Sequence, residues 1–535
     1  MNRLFYFLGF VLLSIASNGL LGQDKPNILL IISDDLGIDA TNGYHNSTLL
    51  PTTPHLDSLM ANGLVFDNVW AAPKCTPTRA AIMSGKYGIK TGVLGTPGNL
   101  ATSHTSLIRE LSSTTNETYA NALIGKWHLS QGGGLDVPME HGIDFYSGSY
   151  GASVNAYDNW VQTEEGINST ETDYVTSVFT DKSIDWVNEQ NSPWLLWLAH
   201  VAPHSPIHLP PDSLYTLSST GSNFRKYIAM IEAMDHEIGR LLGGIPAQEL
   251  DNTLIIYIGD NGTPNIFLQN YPSGHGKSSI YEGGIRVPMI VSGVGVKRTG
   301  EREAALIHAA DIYATIIEIT GTELPGGMYN SLSFDHLLNG TDGNTRDYNY
   351  SELEDGANSG WTIRNQQYKL LEFDSGEREF YDLSLDSLEF NNLMDGTLSS
   401  EQLAIIDDLD IEASVIRAGW SCRDHIQNGD EEGVDCGSSV CNPCELTTAA
   451  TDIFLEATCI EIVPNPTDSV FEIRGLLGDY IIRILDINGT TYQTLNTTTS
   501  DIEIDITDLP IGLYFISIVN STNGSLSMET IIKTN

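Results

Sequence analysis

Four short apolar runs, each ending in charged or metal-binding side chains, constrain the fold of this chain more than any other feature. Asn27 to Ile32 runs into Ser33-Asp34-Asp35, and Asn121 to Ile124 into Gly125-Lys126-Trp127-His128. Trp194 to Ala199 runs into His200-Val201-Ala202-Pro203-His204, and Thr253 to Ile258 into Gly259-Asp260-Asn261-Gly262. A continuous apolar run of this length is the pattern of a strand covered on both faces. Helical patterns fill the intervals. Ser222 to Leu242 carries apolar residues at helical spacing before Gly243-Gly244, and Ile307 to Ile319 does so before Thr320-Gly321. The alternation predicts an α/β sheet flanked by helices, with a ligand just beyond the carboxyl ends of its strands. A single Asp-Asp after a strand is an ordinary turn. Polar clusters after four separate strands predict one site.

At 535 residues the chain exceeds one small domain. Residues 1–22 read as a signal peptide, with Arg3 ahead of an apolar run from Leu4 to Ala16 that is short for a membrane span. A catalytic domain is expected over 23–322 and a smaller α+β subdomain over 323–418. In that subdomain Thr362–Phe373 and Glu379–Asp382 alternate like antiparallel strands, and Glu401–Arg417 reads as a helix. A Cys-rich acidic linker spans 419–446. Residues 455–535, with turns such as Asn488-Gly489, read as a small β-sandwich. Cys422, Cys436, Cys441 and Cys444 fit two disulfides of undefined pairing, with zinc at Cys441-Asn442-Pro443-Cys444 as the runner-up. Cys459 stands outside that cluster. With 26 Lys and Arg against 69 Asp and Glu, the net charge of −43 argues against nucleic acid as a partner. Any polyanionic substrate must be held by a local group of cations.

The segment Cys75-Thr76-Pro77-Thr78-Arg79 supplies the nucleophile candidate. Pro77 suits the first turn of a helix, and Thr76 suits its cap. Cys75 then stands at a helix N-terminus, where free N–H groups favour an anion, with Arg79 one turn on. Asp34, Asp35, Asp260 and Asn261 are hard oxygen ligands suited to calcium or magnesium. Arg79, Lys126 and Lys277 offer fixed positive charge, and His128 and His204 offer hydrogen bonds or proton transfer. The glycines of Gly274-His275-Gly276-Lys277 and Tyr281-Glu282-Gly283-Gly284-Ile285-Arg286 permit close backbone approach to a ligand. His104, His141, His208 and His275 are candidates for substrate contacts, whereas His45, His55 and His308 read as structural.

Taken in order, these motifs resemble those of the formylglycine-dependent sulfatases, from about Pro26 to Pro288. The departures are Thr78 and Ser84, each where a different small hydroxyl residue is frequent. The resemblance implies the alkaline-phosphatase-like mixed sheet with a smaller C-terminal subdomain. It implies that a formylglycine-generating maturation enzyme oxidises Cys75 to formylglycine. It further implies that Asp34, Asp35, Asp260, Asn261 and residue 75 bind Ca2+, with Mg2+ second. Asp260 is the implied general base, and Arg79 holds the nucleophile and the sulfate. Lys126, His204 and Lys277 bind the sulfate oxygens and meet the leaving alcohol, and His128 takes a proton when the intermediate collapses; His275, beside Lys277, is added to them as a substrate-binding candidate.

The tail, with Ile462-Val463-Pro464-Asn465-Pro466-Thr467, Phe471-Glu472-Ile473 and Gly512-Leu513-Tyr514, resembles the C-terminal sorting domain of the type IX secretion machinery. The implied protein is secreted or displayed at the cell surface, and its partner is a sulfated carbohydrate, such as an algal polysaccharide. A phosphate or phosphonate ester hydrolase using the same residues, and a non-catalytic binder of sulfated glycans, are the competing readings.

Overall fold

In chain order the strands of the main sheet are β1 (Asn27–Ser33), β2 (Gly63–Trp70), β3 (Ala120–Gly125), β4 (Phe145–Gly148) and β5 (Trp160–Glu164). They continue with β6 (Ile167–Glu171), β7 (Trp194–Ala199), β8 (Thr253–Gly259), β9 (Met289–Gly293) and β10 (Glu301–His308). They form one ten-stranded sheet in the order β10-β2-β9-β8-β1-β7-β3-β4-β5-β6. The computed structural model describes residues 25–44, 47–115, 118–130, 133–217, 221–322 and 330–417, and most of 461–534. The proposed signal peptide, His45, the Cys-rich linker with its four cysteines, and Cys459 lie outside the described residues. Among the described residues no helix is long and apolar enough to cross a membrane.

The four runs that read as buried strands are β1, β3, β7 and β8. They are neighbours in the sheet, β8-β1-β7-β3, and all pair in parallel. Every residue of β1, β7 and β8 is buried, because one hydrophobic cluster covers each face of the sheet. Adjacent strands lie about 4.8 Å apart. The polar residues that follow these four strands therefore emerge side by side along one edge. β9 runs antiparallel to both β8 and β2, so β2 points the same way as β8 and its exit, leading to Cys75, faces that edge too. Gly125 makes the turn out of β3 possible. Its φ is +117°, and a Cβ there would lie 2.0 Å from the Ala199 carbonyl oxygen.

Helix boundaries depart from expectation in two places. Ser222 caps the long helix Asn223–Gly244 by accepting from the Arg225 N–H, and Gly243-Gly244 stays helical. The apolar run from Ile307 is not all helix. β10 continues to His308, parallel to β2, and the helix starts at Asp311, whose carboxylate accepts from the His308 N–H at 2.8 Å.

The C-terminal part of this unit is an antiparallel sheet of β11 (Asn349–Leu353), β12 (Gly360–Arg364), β13 (Tyr368–Phe373) and β14 (Arg378–Asp382), in that order. The segment Thr362–Phe373 is two strands rather than one. Asn365 turns the chain by accepting from the N–H groups of Gln367 and Tyr368. Helix Ser400–Arg417 packs its Ile406 and Leu409 into the same small core. A second unit, residues 445–535, holds a three-stranded and a four-stranded antiparallel sheet. Phe471, Ile473 and Ile504 of one share a core with Ile482, Ile516 and Ile518 of the other, the packing of a small β-sandwich.

Candidate active site

Cys75 opens the helix Cys75–Ser84, with Lys74 at the cap position and Pro77 in the first turn. Thr76 does not cap this helix, contrary to expectation. Its hydroxyl lies 3.3 Å from His128 Nδ1 and accepts from Thr96 at 3.1 Å. Cys75 is buried, with Sγ 3.2 Å from His128 Nδ1. Burial pushes its thiol above the ordinary value, so the unmodified residue is a protonated thiol at neutral pH.

Around it stand the residues from the strand ends. Arg79 donates from Nε and Nη2 to one oxygen of Asp260, at 3.1 and 2.8 Å, and from Nη1 to the Lys126 carbonyl at 2.9 Å. Lys126 Nζ lies 2.5 Å from Asp34 Oδ2, with both side chains fully buried. Lys277 pairs with Asp35 Oδ1, which also accepts from Asn261 Nδ2 at 2.9 Å. His204 Nε2 is 3.8 Å from Asp35 Oδ2. The Asp35 N–H donates to Asp260 Oδ1 at 3.2 Å. Thus Asp34, Asp35, Cys75, Arg79, Lys126, His128, His204, Asp260, Asn261 and Lys277 converge. His204 and Lys277 keep 16 and 18% of their side chains exposed, which puts the mouth of the site on their side.

The electrostatics follow from burial among these charges. Burial alone would raise Asp34, but Lys126, His204, Arg79 and Lys277 together hold it far below the usual carboxylate range. Asp260 is pushed up to about 7 by burial and by the Asp34 charge, against the pull of Arg79 and Lys126. His128 is driven down to about 2 by burial and by Lys126 and Arg79, so it is a neutral imidazole. Burial would lower Lys277, but the Asp35 carboxylate raises it well above the ordinary lysine value.

Two buried acceptors, Asp34 Oδ1 and Asn261 Oδ1, take no hydrogen bond. Ligand atoms of Asp34, Cys75 and Asp260 lie within 4.8 Å of one another, as do those of Asp34, Asp35 and His204. Unpartnered buried oxygens are costly. Together with three carboxylates they fit a hard divalent cation. Asp35, His128 and Ser278 adopt φ of +70, +52 and +68°. Left-handed backbone at non-glycine residues is disfavoured and gathers at functional sites.

Other expectations change. The glycines near Lys277 serve a close approach of two loops. Gly262 N–H donates to the Gly284 carbonyl at 2.9 Å, and a Cβ on Gly262 would lie 1.9 Å from the Gly283 oxygen. Glu282 turns away into a separate buried ion cluster. His275 is not in the hydrogen-bonded network; its ring stacks on Tyr281 at 3.5 Å. His141 is fully buried, 5.5 Å from the Trp127 ring, and so is not a substrate contact. Three further residues support the site, of which Tyr227 and Tyr257 carry no sequence signal. Tyr227 donates to the Asp35 carbonyl at 2.7 Å, and Tyr257 to Ser33 Oγ at 3.0 Å. Thr78 accepts from the Ala72 N–H at 2.9 Å.

Residues 26–322 match the sulfatase family profile. The chain belongs to the sulfatase family. Residues 274–412 of this sulfatase-family chain match the C-terminal region of N-sulphoglucosamine sulphohydrolase, and residues 461–533 match the secretion system C-terminal sorting domain. The chain is similar to arylsulfatase J of Mus musculus, 29% identical over 325 residues that cover 56% of this chain and 53% of that protein. It is also similar to N-acetylgalactosamine-6-sulfatase of Sus scrofa, 28% identical over 355 residues, covering 59 and 66%. The chain thus spans about half to two thirds of these curated relatives. Among solved structures, Ps i-CgsB in complex with k-i-k-neocarrahexaose superimposes with a TM-score of 0.65 at 25% identity, covering 74% of this chain and 93% of that one. BT4656 in complex with D-glucosamine-2-N,6-O-disulfate shares the fold, with a TM-score of 0.61 at 21% identity, covering 74 and 98%.

Proposed function

We propose that this protein is an exported sulfuric ester hydrolase that removes sulfate from carbohydrates, with Cys75 converted to formylglycine by a maturation enzyme. The carrying observation is the convergence of Cys75 with three carboxylates and three fixed cations at the ends of four adjacent parallel strands. The match of residues 461–533 to a sorting domain supports export through type IX secretion to the cell surface or beyond.

Asp34, Asp35, Asp260 and Asn261, with residue 75, would hold Ca2+ in preference to Mg2+. Bound there, the cation would polarise the sulfate and ease ionisation of the attacking hydroxyl. Hydrated formylglycine supplies one hydroxyl to attack sulfur and a second whose deprotonation later expels sulfate and restores the aldehyde. Asp260 takes the proton of the attacking hydroxyl. Arg79, braced against Asp260 and the Lys126 carbonyl, faces the developing negative charge. Lys126, Lys277 and His204 bind the sulfate oxygens, and the last two, at the mouth, meet the leaving alcohol. His128, whose Nδ1 lies 3.2 Å from Cys75 Sγ, receives the proton of the second hydroxyl. Charge fixed in advance of the reaction is the main source of rate here.

The substrate class rests on relatives. N-Acetylgalactosamine-6-sulfatase and a structural neighbour crystallised with a neocarrahexaose both support a sulfated sugar, and the latter favours an algal galactan. Mass analysis of the tryptic peptide Cys75–Arg79 should show the aldehyde. The purified protein should then hydrolyse 4-methylumbelliferyl sulfate far faster than the corresponding phosphate. Cys75→Ala should lose turnover by more than about 10^3-fold with an unchanged melting temperature. Wild-type turnover by that variant, or preference for the phosphate, would overturn the reading.

A further inference from the structure

A cavity of about 670 Å³ is lined in part by Pro206 and His208, which follow His204 in the chain. Its wall includes Tyr157, Tyr174 and His208, tied to each other and to the chain that carries His204. The Tyr157 hydroxyl donates to the carbonyls of His204 and Val201 at 2.7 and 2.8 Å. The His208 ring stands 4.1 Å from the Tyr157 ring, with Nε2 3.1 Å from the Tyr174 hydroxyl and Nδ1 2.9 Å from the Pro206 carbonyl. This wall is therefore built in advance of any ligand. Asp158, Asp173 and Asp212 also line the cavity and are exposed, and neither Lys nor Arg is among its lining residues. Burial keeps His208 below the ordinary histidine value, so the ring adds no positive charge. Lys226 acts on that ring through space, as Asp158 does, but it does not line the cavity. A second recess of about 190 Å³ shares Asn155 with the first, and no charged residue lines it.

The contrast with the adjoining sulfate site is one of sign. There Lys126, Lys277, His204 and Arg79 gather around the position of an anion. Two residues beyond His204, at Pro206, the surface changes to aromatic faces and carboxylates. A sugar ring presents apolar C–H faces and hydroxyl donors, which such a wall accommodates. A second sulfate would meet three carboxylates, with no Lys or Arg in the cavity lining to offset them. The carboxylates do not form a shared cation site. Among the described residues, the groups of three or more ligand atoms converging within 4.8 Å are those at Asp34.

We propose that this cavity is a subsite for an unsulfated, uncharged sugar unit adjoining the sulfated one, so that the enzyme selects glycans in which sulfated units have neutral neighbours. The inference rests on the sulfatase reading and adds a selection rule to it. The test uses the full-length, formylglycine-bearing protein and pairs of sulfated disaccharides. Members of a pair share the target sulfated sugar and differ in whether the neighbouring unit is sulfated. In every pair that is hydrolysed, kcat/KM should be at least about tenfold higher for the member with the neutral neighbour. In the double variant D158K/D212K, both changes at exposed positions, that ratio should fall severalfold. Equal rates within pairs, or a ratio untouched by the charge reversals, would overturn the subsite and leave the sulfatase reading standing. Hydrolysis of 4-methylumbelliferyl sulfate with no pair hydrolysed would overturn the subsite and the carbohydrate substrate together. Failure on the aryl sulfate itself would defeat the parent reading.

Discussion

The sulfatase-family unit buries two clusters of charge, one at the ends of β1, β3 and β8 and one where β12 and β13 meet the Glu282 turn. Each contains a carboxyl pushed up to about 7, Asp260 in the first and Glu389 in the second, and in each burial is the main cause. The second cluster closes on itself. Lys369 Nζ sits 2.7 Å from Glu389 Oε1 and 3.3 Å from Glu282 Oε1, and 4.9 Å from the centre of the Trp70 ring. The Trp70 indole donates to Glu282 Oε1 at 3.0 Å, and the Glu282 N–H donates to Glu389 Oε2 at 2.6 Å. Glu282 Oε2 lies between Arg364 and Arg286, at 3.7 and 3.8 Å. Each cluster has two buried oxygens that take no hydrogen bond, but in the second, Glu282 Oε2 and Glu389 Oε1 each lie within 4 Å of a cation. In the first, Asp34 Oδ1 and Asn261 Oδ1 have no such partner, and His204 and Lys277 reach the surface. Buried charge alone does not mark a site, since ion pairs can be purely structural. Acceptors that have neither a hydrogen bond nor a paired cation, beside a route to solvent, do mark one.

Removing one lysine from each cluster gives the largest test of that distinction. Lys369→Met leaves Glu282 and Glu389 short of a partner, and should destabilise the fold by about 3–5 kcal/mol, in calcium and in chelator alike. Lys126→Met leaves Asp34 exposed to a cation instead. Its melting temperature should fall in chelator and recover when calcium is added, while turnover stays at least about 100-fold below wild type. Thermal melts with EGTA and with calcium read both. Equal rescue of the two variants by calcium would erase the division between the clusters.

A smaller effect should appear in the pH dependence of the closed cluster. Glu389 is raised from 4.5 to about 7 by burial and by the Glu282 charge, against the pull of Lys369. Between those values the folded state holds a proton that the unfolded chain releases. The stability this group contributes is therefore complete below pH 4.5 and lost as pH rises through 7. Glu389→Gln removes the titration, so the melting temperature should fall less between pH 5 and 8 than in wild type, a difference of about 1–3 kcal/mol. Identical slopes would mean that Lys369 keeps Glu389 ionised throughout.

The two clusters were not equally legible in the chain. Asp34, Lys126, His204 and Asp260 each follow an apolar run, so strand pattern and site chemistry point to the same places. β2 and β10 escape that pattern because polar residues interrupt them, as Asp67 and Asn68 do in β2, and because the first half of β10 is largely exposed. The helix boundary at Asp311 depends on a bond back to His308, which periodicity cannot register. Glu282, Arg364, Lys369 and Glu389 span more than a hundred residues and obey no local rule. Their meeting is a consequence of tertiary packing, and the motif around Glu282 pointed instead to the ligand. Tyr157, Tyr174 and His208 are equally unmarked, since their cavity is assembled from loops.

Thr78 sits between these categories and offers the finest test. It lies inside the nucleophile motif, one residue before Arg79, yet its hydroxyl accepts from the Ala72 N–H at 2.9 Å and lies 3.3 Å from the carbonyls of Ala72 and Lys74. Those bonds join the exit of β2 to the first turn of the Cys75 helix, a structural task that serine performs as well as threonine. Thr78→Ser should therefore stay within about 0.5 kcal/mol of wild type. Thr78→Val leaves the buried Ala72 N–H without its partner, and should cost about 1–2 kcal/mol with kcat reduced less than about tenfold. Thermal melts and aryl sulfate turnover on the two variants decide the matter. A valine variant that melts like wild type yet loses activity as deeply as Lys126→Met would move Thr78 into the catalytic cluster, because only a residue coupled to the reacting atoms separates rate from stability in that direction.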